Sequence, residues 1–450
     1  MKNRKDALKN EKLGILLFQL STPAVIGMMV NSLYNVVDAI FVGRGVGTLA
    51  IGAISIAFPV QMIVLALGQM IGIGGSSIIS RSLGANDTEK AEKVLGNMLF
   101  LILFITVPFA VISMIFLPDI LVFFGATPEI LPYAQDYMEI IILGMIFFTF
   151  MVTMNNVVRA EGNAKISMFS MSMAALINVI LDPFFIFYYK FGIKGAAIAT
   201  VISQLITSIY LLSYLLSGKS IITFHSIYIC PSRIIIKEIL AIGASSLSRM
   251  AASSISAMVL NRSLAFYGGN IALAAFGIVN RLVMLTFMPM FGIVQGLQPI
   301  VGFNYGARQY KRVVESIKYT LKALFLLSTV IISLLQFFPY EITSIFTRDN
   351  ELLSLGVIAL KKMTLAIPFV TLLIVTSSVY QSLGRALPAL FLSISRQVFF
   401  LIPFALLLPH IFGLNGLWYS FPASDMGAAT LSIFLLLYEM KKINLMISKS

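Results

Sequence analysis

Phe191-Gly192-Ile193-Lys194-Gly195 recurs 221 positions later as Phe412-Gly413-Leu414-Asn415-Gly416. Upstream, after one deleted position, the same register holds at an offset of 222. There Gly84-Ala85 falls on Gly306-Ala307, Glu129 on Glu351, Ala50 and Ala53 on Ala272 and Ala275, and Gly162 and Ala164 on Gly384 and Ala386. Apolar helices align by chance through their Leu and Ile content, but these matches sit mainly on loop glycines, where composition gives no help. The chain therefore reads as two copies of one unit, 1–217 and 237–450, joined by a polar linker at 218–236 that contains Pro231.

Each copy holds six apolar runs long enough to cross ~30 Å of hydrocarbon as helices. The runs are 13–42, 50–79, 95–117, 131–157, 166–189 and 193–217, then 238–262, 272–302, 318–338, 354–382, 388–409 and 413–439. The expected fold is an all-α integral membrane protein of twelve transmembrane helices in two six-helix lobes. Transmembrane strands would read as alternating segments of ~10 residues, which excludes a barrel. Because six is even, both copies share one orientation, so a pseudo-two-fold axis along the membrane normal relates them, with the cavity between.

Composition agrees. Of 450 residues 58% are hydrophobic and 11% charged, against about 25% charged in ordinary soluble domains. The formal charge of +13 would suggest nucleic acid in a soluble protein, but polytopic proteins collect Lys and Arg in cytoplasmic loops, so no nucleic-acid partner is expected. Near the span ends, 21 basic residues fall on the N-terminal side of the membrane and seven on the other, which predicts that both termini are cytoplasmic. The basic stretch before the first run resembles a signal peptide, but that run is too long and too polar, with Asn31, Asn35 and Asp38, and reads as a retained helix. One cysteine, Cys230, and two distant histidines, His225 and His410, leave no zinc or disulfide reading.

Charged residues inside the spans are candidate sites by default, since an ionised carboxylate there costs about 2.5–3.5 kcal/mol on insertion scales. Asp38, Asp182 and Asp425 lie well inside. With the predicted orientation, Asp38, Asp182 and Thr200 all fall in the outer half of the first lobe. Asn178 and Asp182 share a helix face, Thr200, Ser203, Gln204 and Thr207 make a stripe on the sixth span, and Asn31, Asn35 and Asp38 make one on the first. Three polar stripes at matching depth suggest one buried cluster, and two acids with no basic partner there are poor glue between helices. The second copy has Leu260 and Phe404 where the first has Asp38 and Asp182. It carries instead Arg249, Arg281, Arg396 and Asp425, and the depth of Arg249 permits an Arg249–Asp425 pair. Asn31, Asn35, Gln204, Arg249 and Asp425 are candidates for the substrate cavity. Pro23 removes a backbone hydrogen bond from the first span and is a candidate hinge.

The sequence resembles the MATE family, the multidrug and toxic compound extrusion transporters of the MOP flippase superfamily, over nearly its whole length. The resemblance rests on Tyr34-Asn35-Val36-Val37-Asp38, Ser80-Arg81-Ser82-Leu83-Gly84-Ala85, Asn178-x-x-x-Asp182-Pro183, Gly195-Ala196-Ala197-x-Ala199-Thr200, and Gln298-Pro299-x-x-Gly302-Phe303-Asn304-Tyr305-Gly306-Ala307. It implies a V-shaped pair of lobes and an antiporter exporting amphipathic, cationic compounds by alternating access. It also implies cation coupling at Asp38, Asn178, Asp182 and Thr200, and helix bending at Pro23. No cofactor is expected beyond H⁺ or Na⁺, and no metal beyond Na⁺ at those four residues. A monomer in a prokaryotic cytoplasmic membrane is expected. The rival readings are a lipid-linked precursor flippase, which the three C-terminal arginines keep open, and a membrane-embedded enzyme, for which no catalytic motif is present.

Overall fold

Gly47 and Gly269 stand 222 positions apart, and the backbone turns at both. Their φ angles are +111° and +62°, a region that a side chain penalises and glycine enters freely. At Gly47 the turn separates α2 (Leu13–Gly45) from α3 (Thr48–Gly84). At Gly269 it divides the 74-residue α9 (Arg233–Gly306) into two spans, 233–268 and 270–306. The computed structural model describes residues 2–448, apart from the side chains at 2, 3, 35, 36 and 39.

The first lobe continues with α4 (Thr88–Ile115), a short α5 (Leu117–Phe123), α6 (Leu131–Ala160), α7 (Ala164–Pro183) and α8 (Ile193–Leu216). The second continues with α10 (Tyr310–Phe337), a short α11 (Pro339–Ser344), α12 (Asn350–Thr364), α13 (Ile367–Ser382), α14 (Ala386–Ile394), α15 (Ile402–Phe412) and α16 (Leu414–Ile447). Among the described residues ten helices are long and apolar enough to cross a membrane, and α12 with α13, bent by 49°, makes a further span. With α9 divided, that gives the twelve spans read from the sequence. The duplication extends to detail: α5 and α11 begin 222 residues apart, as do α4 and α10, and Gly192 and Gly413 turn with φ of +58° and +56°.

Local signals start and bend the helices. Asp87 caps α4 by accepting from the Lys90 amide at 2.9 Å, and Asp349 caps α12 through the Leu352 amide at 2.8 Å. The fifth span of each lobe is wound more widely at one place, in π-helical turns at Phe184–Tyr188 and Ser395–Leu401. Such turns are frequent at functional sites. Pro23 leaves α2 unbroken through Gly45.

The lobes meet along a seam that obeys the repeat. Gly84 packs on the Phe303 carbonyl, and its counterpart Gly306 packs on the Arg81 carbonyl, the counterpart of Phe303. Gly243 packs on Met70, and around the related positions Gly292 packs on Val25 and Gly296 on Ser21. A side chain at any of these glycines would collide with backbone. Hydrogen bonds from Ser21 to the Ile293 carbonyl (3.2 Å) and from Ser77 to the Gln381 carbonyl (2.5 Å), with an Arg81–Glu238 ion pair at 2.9 Å, add to it. The seam occupies the membrane half that carries the N-terminus. At the opposite ends packing turns inward within each lobe, Gly45 on Ile186 and Phe187, and Gly268 on Leu414.

An element absent from the sequence reading lies under this seam. The amphipathic helix α1 (Lys2–Asn10) buries Leu8, and Arg4 donates to the Tyr214 hydroxyl of the first lobe (2.8 Å) and to the Lys219 carbonyl of the linker (3.1 Å). From the second lobe, Asn304 donates to the Leu8 carbonyl (3.1 Å) and Arg312 to the Glu11 carbonyl (2.9 Å). One short helix is thus tied to both lobes.

Candidate cation-coupling site

The first lobe packs α2, α7 and α8 so that four of the predicted residues converge. Asn178 and Asp182, one turn apart on α7, are 1% and 0% exposed, while Asp38 on α2 and Thr200 on α8 are half-buried. The Asp38 and Asp182 carboxyls are neighbours, close enough to act on each other directly. The Asn178 amide fits best with Nδ2 donating to Asp182 Oδ2 at 3.0 Å and Oδ1 accepting from Thr200 Oγ1 at 3.2 Å. The reverse orientation instead directs Nδ2 to Thr200 Oγ1 (3.2 Å) and Asp182 Oδ1 (3.5 Å).

Two features give this cluster chemistry. Two neighbouring carboxyls repel when both are ionised, and a single positive charge between them, a proton or a cation, relieves that repulsion. Asp38 Oδ1 is buried and finds no donor among the described residues, an expensive state for a carboxylate oxygen. A proton or a hard cation would supply what is missing. Carboxylate, amide and hydroxyl oxygens also match the donor set that hard cations favour.

Other predicted residues are placed differently. Asn31 is exposed on α2, and the Asn35 side chain lies outside the described residues. Gln204 is half-buried on α8. Ser203 and Thr207 spend their hydroxyls on their own helix, donating to the Thr200 and Ser203 carbonyls at 2.7 Å each, so the expected α8 stripe reduces to Thr200. The expected Arg249–Asp425 pair is not formed. Asp425, 2% exposed, is paired with Arg396 Nε at 2.6 Å, and Arg249 lies over the Phe291 ring at 5.6 Å. Arg396 sits in the Ser395–Leu401 π-turn, whose wider winding changes the direction in which side chains project, and depth alone could not reveal that. Sequence reasoning also missed Tyr137 on α6, which lies within electrostatic range of Asp38 and Asp182 and accepts a hydrogen bond from Gln61 at 3.1 Å. A tyrosine and a glutamine in apolar helices carry no spacing signal. Among the described residues no group of three His, Cys, Asp or Glu gathers as a metal centre.

The MatE family model matches residues 23–184 and again 245–407. The chain belongs to the MATE family. Its two matches fall one in each lobe, as the duplication requires. Among relatives, the multidrug export protein MepA of Staphylococcus haemolyticus is 27% identical over 419 residues, 93% of this chain and 92% of that protein. Among solved structures, a MATE family multidrug resistance transporter in an outward-facing conformation superposes with a TM-score of 0.92 at 28% identity, covering 97% of this chain and 98% of that one. A MATE in complex with MaL6 gives 0.92 at 27% identity with the same coverage. These relatives are transporters and export proteins rather than enzymes, and the MATE chain described here is a multi-pass membrane protein of the same fold.

Proposed function

We propose that this MATE protein is a cation-coupled antiporter that exports amphipathic, cationic drugs or metabolites by alternating access, with Asp38, Asn178, Asp182 and Thr200 carrying the coupling ion. The observation that carries the reading is the meeting of Asp38 with Asp182, Asn178 and Thr200, with an Asp38 oxygen left without a donor among the described residues. A site that shares one positive charge between two acids, in a lobe interior without a basic partner in the cluster, exchanges H⁺ or Na⁺ as the cavity changes access. The names of the relatives, multidrug export protein among them, support the substrate class.

Orientation follows from the basic residues, which gather on the N-terminal side. With both termini in the cytoplasm, the seam seals the cytoplasmic half, and the cavity opens outward. The drug would leave from this state and the cation would enter. Staphylococcus relatives favour a prokaryotic plasma membrane. The flippase reading loses weight because Arg396 is neutralised by Asp425, which removes one of the three arginines that supported it.

The test is drug transport in proteoliposomes with imposed H⁺ or Na⁺ gradients. Asp38→Asn and Asp182→Asn should each abolish gradient-driven export while leaving the protein folded. Export at the wild-type rate by both variants would refute the coupling role.

A further inference from the structure

On the N-terminal side of the membrane, outside the cavity between the lobes, two depressions of the first lobe join. The first, about 500 Å³, is lined by Arg4, Lys165 and Lys219 with Asn163 and Tyr214. The second, about 790 Å³, runs along α2 and α7 between Phe18, Ile26, Phe169 and Tyr210 and passes Pro23. Lys165 and Ile166 line both, so a basic chamber opens into an apolar groove. Among the described residues no acid lines the chamber, and Glu161, which pairs with Arg4 from behind it, is fully buried and bonded by Ser220, Tyr214 and the Ile221 amide. It offsets Arg4 and leaves Lys165 and Lys219, both exposed, as the net charge.

We propose that this joined site holds an anionic phospholipid of the adjoining leaflet, its phosphate against Lys165, Lys219 and Arg4 and one acyl chain in the groove beside Pro23. Charge complementarity selects the headgroup, since basic pockets between transmembrane helices attract anionic lipid heads. The length of the groove selects the chain. From Phe18 to Ile26 is eight residues, about 12 Å of helix rise, close to half of the ~30 Å hydrocarbon core. Phe18, Ile26 and Phe169 are 70%, 44% and 52% exposed, which suits a lipid contact. The occupant would touch α2 on both sides of the residue where its hydrogen-bond ladder is interrupted, so lipid composition would bear on the shape of α2.

The test uses the full chain in phosphatidylcholine nanodiscs. The protein has one tryptophan, Trp418, so Phe169→Trp in a Trp418→Phe background reports from the groove alone. Brominated phosphatidylglycerol should quench it at about fivefold lower mole fraction than brominated phosphatidylcholine. The double variant Lys165→Ala, Lys219→Ala should erase the difference, and millimolar inorganic phosphate should not displace the lipid. If the reporter variants fail to fold, native mass spectrometry of the unmodified chain and the double-lysine variant gives the same comparison as phosphatidylglycerol retained. Equal quenching by the two lipids, a preference that survives loss of both lysines, or displacement by free phosphate would each overturn the proposal.

Discussion

Arg396 and Asp425 show what a buried charge pair does and does not contribute. At 2.6 Å and with Asp425 2% exposed, the pair recovers much of its desolvation cost but adds little net stability. Removing one partner strands the other. Arg396→Met should therefore destabilise the protein by about 3–5 kcal/mol, whereas Arg396→Met with Asp425→Leu should be close to neutral. Thermal unfolding of both variants checks this. At this scale the sequence was legible where chemistry is rare: acids in apolar spans stand out, and Asp38 and Asp182 were found with Asn178 and Thr200. It was not legible where direction matters, because a π-turn re-aims Arg396 and no pattern marks Tyr137.

Among the elements, α1 carries the clearest consequence. Its Arg4 lies 3.8 Å from the fully buried Glu161. Burial pushes the Glu161 carboxyl above the usual carboxylate range, and bonds from Ser220, Ile221 and Tyr214, with the charge of Arg4, draw it part of the way back. A carboxyl raised on folding costs stability as pH rises above its unfolded value. Loss of Arg4 raises it further. Arg4→Ala should lower the melting temperature by an amount equivalent to about 1 kcal/mol, and the deficit should be larger at pH 8 than at pH 5. A deficit independent of pH would mean that Arg4 acts through packing alone. The basic stretch of α1 was visible in the sequence, but its docking was not, since the Asn304 and Arg312 that hold it lie some 300 residues away.

For the whole molecule, the duplication explains why the seam closes on one side. Helix ends rich in glycine, 70–84 and 292–306, let two backbones touch around one pseudo-axis. The glycines of that repeat gave the two-lobe fold from sequence, while which side was closed depended on packing that periodicity does not encode. If the lobes must part here for drug to enter, a link across the seam stops transport. Arg81 and Glu238 meet across the seam at 2.9 Å, so Arg81→Cys with Glu238→Cys in a Cys230→Ser background should halt export when joined by a short reducible bifunctional linker and regain it on reduction. Undiminished export by the linked protein would show that this seam need not open.

Under the proposed function, ion and drug compete through the Asp38–Asp182 pair without sharing atoms. Cation binding would cancel the repulsion between the carboxylates and let α2 repack around Pro23, about 22 Å of helix away. Linkage is reciprocal, so drug must weaken ion binding by the same factor that ion weakens drug binding, typically 5–150-fold. The direct measurement is calorimetric titration of drug into the protein with and without saturating ion, repeated in Asp38→Asn and in Pro23→Ala. Saturating ion should weaken drug binding in the wild type, have no effect in Asp38→Asn, and have a reduced effect in Pro23→Ala while ion affinity stays unchanged. Identical drug affinities with and without ion in the wild type would contradict the mechanism.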